Sequence, residues 1–223
     1  MSAAQTSFSV ALVAGGKSSR MGTDKGLVSL RGKPLFMYII DQVTNLSDDI
    51  YVVSNNSGSY PAISYRILPD EIPGIGALGG ILTALTGAQN ELCLVLACDM
   101  PFINEPLIKR LLDGVEGRDV AIPQLAPEQL EPFRAIYRKT CLPAIEQAIK
   151  DGERRAVGFL PQVNVDVVSR SILEQLNPTL DTFFNINTPE DLAEMEAYAR
   201  QLELSVSKTA LRSDPPAVKG PPA

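Results

Sequence analysis

The sequence predicts an α/β protein: a mostly parallel sheet with helices on both faces. Three observations predict it. Short apolar runs of strand length alternate with amphipathic stretches of helix length along nearly the whole chain. The runs are apolar throughout instead of alternating, as strands covered on both faces must be. A loop rich in glycine and cations directly follows the first run, and it belongs at the carboxyl edge where open α/β sheets bind ligands.

The elements follow in order. Phe8–Val13 (FSVALV) reads as a buried first strand. Residues 34–45 are amphipathic, and Pro34 suits a first helical turn. Strands are expected at 50–54 and 64–68, a helix at 78–88, and a strand at Leu92–Ala97. A helix at 105–113 precedes strands at 120–123 and 133–137. Helices at Leu142–Lys150 and 155–160 lead to a strand at 163–167. The last helix, 189–202, has a strong start in Thr188-Pro189-Glu190-Asp191: a hydroxyl cap, an N1 proline, then acids at the positive end of the dipole.

With 223 residues and 45% hydrophobic content, the chain supports one sizeable core. We expect a single domain at 8–202, an N-terminal tail at 1–7 and a disordered, proline-rich C-terminal tail at 203–223. A net charge of −6 argues against general nucleic-acid binding. No apolar run approaches the roughly 18–20 residues of a membrane span, and MSAAQTS has neither part of a secretory signal. A cytoplasmic protein is the expectation. The three cysteines, Cys93, Cys98 and Cys141, read as small core residues. The histidine count is zero, which excludes imidazole acid–base catalysis, Ser-His-Asp and Cys-His arrangements and the commonest zinc sites.

The chemistry-bearing segment is Val13-Ala14-Gly15-Gly16-Lys17-Ser18-Ser19-Arg20-Met21-Gly22-Thr23-Asp24-Lys25-Gly26. It is neither a Walker A motif nor GxGxxG. Backbone amides exposed by glycine, with Lys17, Arg20 and Lys25, suit a wrapped triphosphate. A second segment, Ala97-Cys98-Asp99-Met100-Pro101, ends an apolar strand in a carboxylate. Asp99 either caps the following turn or binds Mg²⁺, which needs only one or two carboxylates beside substrate phosphates. Next to a phosphate loop, the metal reading is favoured.

Gly74-Ile75-Gly76-Ala77-Leu78-Gly79 matches GxGxxG formally, but Pro69–Pro73 separates it from its strand, so it is a weak dinucleotide signal. It suits a close-approach loop for a base or ribose. Asp70 either bonds ribose or base, or caps a turn. Gly152-Glu153-Arg154-Arg155 is either a solvated run or an anion site. Asn185 and Asn187, two apart, point the same way, either to cap the next helix or to touch metal or substrate.

Together these motifs, with Gly32-Lys33-Pro34-Leu35 and Asn185-Ile186-Asn187-Thr188-Pro189-Glu190, resemble the molybdenum cofactor guanylyltransferases of the nucleotidyltransferase superfamily. The resemblance runs from about Phe8 to Arg200. It implies a single Rossmann-like nucleotidyltransferase domain that moves GMP from GTP to the terminal phosphate of molybdopterin, or molybdenum cofactor, releasing pyrophosphate with Mg²⁺. It implies that Val13, Ala14 and Gly15 hold the guanine nucleotide, Gly16 and Arg20 the phosphates, and Lys25 the reacting phosphates. Asp70 would add to nucleotide binding and Asp99 would bind Mg²⁺; Arg20, Lys25 and Asp99 would be the catalytic set. Asn185 and Asn187 match positions on the pterin side. The implied partners are these small molecules, with transient contact to molybdenum-cofactor enzymes or insertion chaperones. Departures from the family pattern are Gly76-Ala77-Leu78 where Gly-Pro-Leu is usual, and Ser54-Asn55-Asn56 after the second strand. The alternatives are a cytidylyl- or sugar-phosphate nucleotidylyltransferase, and a non-catalytic protein that binds nucleotide or pterin for delivery.

Overall fold

The computed structural model describes residues 6–14, 25–60 and 63–210, without the side chains of 203–210. Its strands are β1 (Phe8–Val13), β2 (Ser29–Leu30), β3 (Lys33–Pro34), β4 (Asp49–Val53), β5 (Arg66–Leu68), β6 (Leu92–Ala97), β7 (Val120–Ala126), β8 (Gln129–Leu130), β9 (Arg134–Arg138) and β10 (Val165–Val168). The helices are α1 (Leu35–Val43), α2 (Ala77–Gly87), α3 (Glu105–Gly114), α4 (Leu142–Lys150), α5 (Arg170–Leu176) and α6 (Pro189–Ala210).

The main sheet runs β10-β7-β9-β6-β1-β4-β5, with β8 beside β7. β1 pairs in parallel with both β4 and β6, and β5 and β10 are parallel to their neighbours. β9 is antiparallel to both β6 and β7. The predicted mostly parallel sheet is the one observed. The chain goes from β1 to β4 on one side and returns on the other as β6, so the strand order reverses at β1. The carboxyl ends of β1 and β6 therefore lie at the switch point where open α/β sheets bind ligands.

β1 and β6 are buried along their whole lengths. Alternate residues therefore feed two cores. Val10 and Leu12 join α1, α3 and α5 through Phe36, Ile39, Leu107, Leu111 and Leu173. Ala11 and Val13 join α2 and α4 through Leu78, Ile81, Leu85, Ile145 and Ile149. A third, smaller cluster packs α6 through Met195 and Ala199 against Leu30, Leu35, Phe102 and Ile186. α6 thus brings the segment before it to the carboxyl edge.

Three element expectations are corrected. Residues 155–160 form turns and then a 3-10 turn at Leu160–Gln162 instead of a helix. Gly158 is packed against Glu153, and Pro161, three residues on, lacks the N–H that would carry a helical ladder further. Pro34 lies in β3, one residue before α1, and not inside the helix. α6 continues past Leu202 to Ala210. Helix α5 and the β2–β3 hairpin were not anticipated. Among the described residues, no helix is long and apolar enough to cross a membrane.

Candidate functional site

Gly15, Gly16 and Arg20 lie outside the described residues, as does most of the glycine-rich loop. Its two ends are placed. Val13 and Ala14 close β1, where the Ala14 N–H donates to the Val53 carbonyl and the Val13 carbonyl accepts from Cys98 N–H. At the far end, Lys25 opens a 3-10 turn, Lys25–Leu27. Its Nζ donates to Asp99 Oδ2 at 2.7 Å and to Asn187 Oδ1 at 2.6 Å. Three segments far apart in the chain therefore meet at one ammonium.

Asp99 sits just past β6, with 20% of its side chain exposed against 22% for Lys25. The cap of α3 is not Asp99 but Asn104, whose side chain accepts from the Leu107 N–H at 2.8 Å. The Asp99 carbonyl accepts from the Ile186 N–H at 2.8 Å, which docks the Asn185–Asn187 segment on the turn. Ile186 is buried between Asn185 and Asn187, so both amides stand on the outer side of that segment. Asp191 takes the N–H groups of Asn187 and Thr188, which hold its carboxyl below the usual carboxylate range.

A cavity of about 190 Å³ opens here, walled by Val13, Ala14, Lys25, Asp99, Phe133 and Asn185 among others. A larger one, about 1000 Å³, lies at the amino edge beside Phe8, Leu92 and α3. None of the sequence-predicted site residues lines it. The carboxyl-edge cavity is the one that Lys25 and Asp99 line together.

Asp70 is at the same sheet edge, beyond β5, but it is interlocked with Asn55. Asn55 Nδ2 donates to Asp70 Oδ2 at 2.7 Å, and the Asp70 N–H returns a bond to Asn55 Oδ1 at 2.8 Å. The structure thereby adds Asn55, in the unusual Ser54-Asn55-Asn56 stretch, to this rim. In the central glycine loop, Gly74 and Gly76 have φ of +82° and +79°, which favours glycine. A Cβ on Gly80 would stand 3.1 Å from Val13 Cγ1, so glycine there lets α2 approach the end of β1. In the GERR segment, Glu153 accepts from the backbone N–H groups and guanidinium at Arg154–Arg155, which drive its pKa to about 2. The Arg155 fork is thus engaged by its own neighbour.

The remaining polar and thiol groups divide clearly. Burial pushes the Cys93 and Cys141 thiols up to about 12, as expected for core residues without nucleophilic character. Arg134, at the start of β9, is 1% exposed, and no motif in the sequence marks it. Burial lowers its pKa to about 10 against the opposing pull of Asp99 and Glu131.

The donor chemistry at Lys25 tests whether a divalent cation fits. Asp99 Oδ2 and Asn187 Oδ1 already converge on one positive charge, and both are hard oxygens. Among the described residues no cluster of three or more His, Cys, Asp or Glu could hold a metal. The residues fit a site with one carboxylate that substrate phosphates and water complete.

Residues 10–165 match the family model described as a MobA-like NTP transferase domain. The chain is 35% identical, over 84% of its length and 91% of the relative, to a Pelotomaculum thermopropionicum protein named "Probable molybdenum cofactor guanylyltransferase". It is similar to the solved structure of molybdopterin-guanine dinucleotide biosynthesis protein A from Archaeoglobus fulgidus, with a TM-score of 0.74 and 29% identity, covering 86% of this chain and 99% of that one. A Thermus thermophilus 2-C-methyl-D-erythritol 4-phosphate cytidylyltransferase shares the fold at a TM-score of 0.64 and 20% identity, over 87% and 100% of the two chains.

Proposed function

This chain belongs to the MobA-like NTP transferase family, and from that membership we propose that it transfers GMP from GTP to the terminal phosphate of a molybdopterin-type cofactor. The observation that carries the proposal is the meeting of Lys25, Asp99 and Asn187 at the carboxyl ends of β1 and β6. A cation, a carboxylate and an amide oxygen converge where a triphosphate held by the glycine-rich loop would end.

In the reaction, a terminal phosphate oxygen of the acceptor forms a bond to the α-phosphorus of GTP. The bond from that phosphorus to the bridging oxygen breaks, and pyrophosphate leaves in line. The acceptor oxygen is already ionised at neutral pH, so no strong base is needed, which suits a chain without histidine. Asp99, with Asn187 beside it, would hold Mg²⁺, which when bound neutralises phosphate charge and polarises the phosphorus. Lys25 offsets charge on the reacting phosphates, and Arg20 and Gly16 hold those further back. Val13, Ala14 and Gly15 seat the nucleotide, with Asp70 at its rim; Asn185 faces the acceptor. Orientation and fixed charge supply the rate.

The test incubates the full chain with each Mg-NTP and molybdopterin, followed by mass analysis and pyrophosphate measurement. A product heavier by GMP, with pyrophosphate formed from GTP alone, is expected. Preference for CTP or UTP would overturn the guanylyl assignment. Tight binding without pyrophosphate would replace the enzyme with a delivery protein.

A further inference from the structure

Arg134 opens β9 opposite Leu96 of β6, directly below the turn that carries Asp99. It is the largest fully buried side chain among the described residues. Its strand companions Ala135, Ile136 and Tyr137 are buried and contribute to the two apolar cores. Nη2 donates to the Met100 carbonyl at 2.7 Å, while Nε and Nη1 have no hydrogen-bond partner among the described residues. The two carboxylates whose charge reaches it are Asp99 and Glu131.

Stability alone does not account for this side chain. A buried guanidinium with unpaired donors is unfavourable, and an apolar residue of similar volume is often neutral or stabilising in its place. What the arginine does have is the Asp99 turn. The Asp99 carbonyl is taken by the Ile186 N–H at 2.8 Å and the next carbonyl, that of Met100, by Arg134. Two successive peptide groups are each held by a donor from a distant segment, and a buried positive charge acts on the carboxylate.

We infer that Arg134 is the positioning residue for Asp99, holding its turn in place and supplying the counter-charge that remains when Lys25 engages substrate phosphates. The inference rests on the proposed role of Asp99 as a metal ligand. Lys25 carries its charge on a flexible four-carbon stem, whereas the guanidinium of Arg134 is fully buried in the strand that carries it. Asp99 thus stays oriented through a cycle in which its ammonium partner changes.

The test uses the full chain and its R134M, R134K and R134Q variants, with D99N as reference. Thermal unfolding is measured without ligand, Mn²⁺ affinity in the presence of GTP by calorimetry, and kcat separately from KM for GTP. R134M should melt at or above the parent temperature yet bind Mn²⁺ about 10-fold or more weakly, as outer-shell changes do. Its kcat should fall while KM for GTP stays within about twofold, because the nucleotide contacts are untouched. R134K should recover most of the affinity and R134Q should not. Unchanged Mn²⁺ affinity and kcat in R134M would overturn the inference. Should R134M fail to fold, equal behaviour of R134K and R134Q would overturn it instead. If D99N itself binds Mn²⁺ like the parent, the metal-ligand reading fails, and this inference fails with it. If D99N loses the metal and R134M does not, only the inference about Arg134 fails.

Discussion

Lys25 and Asp99 illustrate what a single residue reveals before any fold is known. Each follows an apolar strand in a segment dense with glycine or ended by proline, and such a place at a sheet edge is rarely structural. Their mutual contact at 2.7 Å spans 74 positions, and the contact of Lys25 with Asn187 spans 162. No periodicity carries that information. Replacing Lys25 or Asp99 with alanine should lower guanylyl transfer by on the order of 10²–10³, as loss of a preorganised charge does. Far-UV circular dichroism should be unchanged, since both side chains are partly exposed and neither belongs to a core cluster. Full activity in either variant would remove that residue from the catalytic set. Arg134 was illegible for the opposite reason: in Glu131-Pro132-Phe133-Arg134 an arginine reads as a solvated surface residue. Only the antiparallel register of β9 turns it inward beneath Met100.

At the scale of elements, starts were easier to read than ends. Thr188 accepts from the Asp191 N–H at 3.1 Å, while Asp191 answers the backbone N–H groups of Asn187 and Thr188, a reciprocal cap. Thr188→Ala should destabilise the fold by about 1 kcal/mol, read from the urea midpoint. It should also loosen the Asn187 end of the site, since cap and amide share one turn. The end of α6 was misjudged because no glycine or proline interrupts the chain before Ala210. α2 shows a different constraint. A Cβ on Gly79 would fall 2.8 Å from Ile75 Cβ, closer than packed atoms allow. Gly79→Ala should cost about 1–3 kcal/mol by forcing the preceding loop aside. A midpoint equal to that of the parent would show that the loop yields freely. Gly79 therefore serves packing of α2 on the loop before it and Gly74 and Gly76 serve backbone conformation, roles the formal GxGxxG spacing does not distinguish from ligand approach.

Across the whole molecule, Asp49 ties several parts of one sheet half together. It is 7% exposed. Burial works to raise its pKa, but bonds from Ser9, the Gln89 N–H and Arg66 outweigh it and leave the value lowered. A depressed folded-state pKa contributes stability that is present above the unfolded value. It is lost as pH falls through the folded value. Thermal stability should therefore decline below about pH 4, the unfolded carboxylate range. Asp49→Asn should lower stability at pH 7 by on the order of 1–3 kcal/mol. It should also flatten the acid limb; an unaltered limb would assign acid sensitivity to other groups.

The sequence by itself determined the α/β class, the succession of the principal strands along the chain and the identity of the cation-rich loop and the Asp99 turn. These follow from local hydrophobic runs and from residue chemistry at strand ends, which are short-range properties. Tertiary structure alone decided which distant groups meet: Asn187 at Lys25, Asn55 at Asp70, and Arg134 below Asp99. Those meetings depend on strand order and register. The docking of α6 sets the first, the parallel pairing of β4 with β5 the second and the antiparallel strand β9 the third, through long-range pairing and burial that no local window contains.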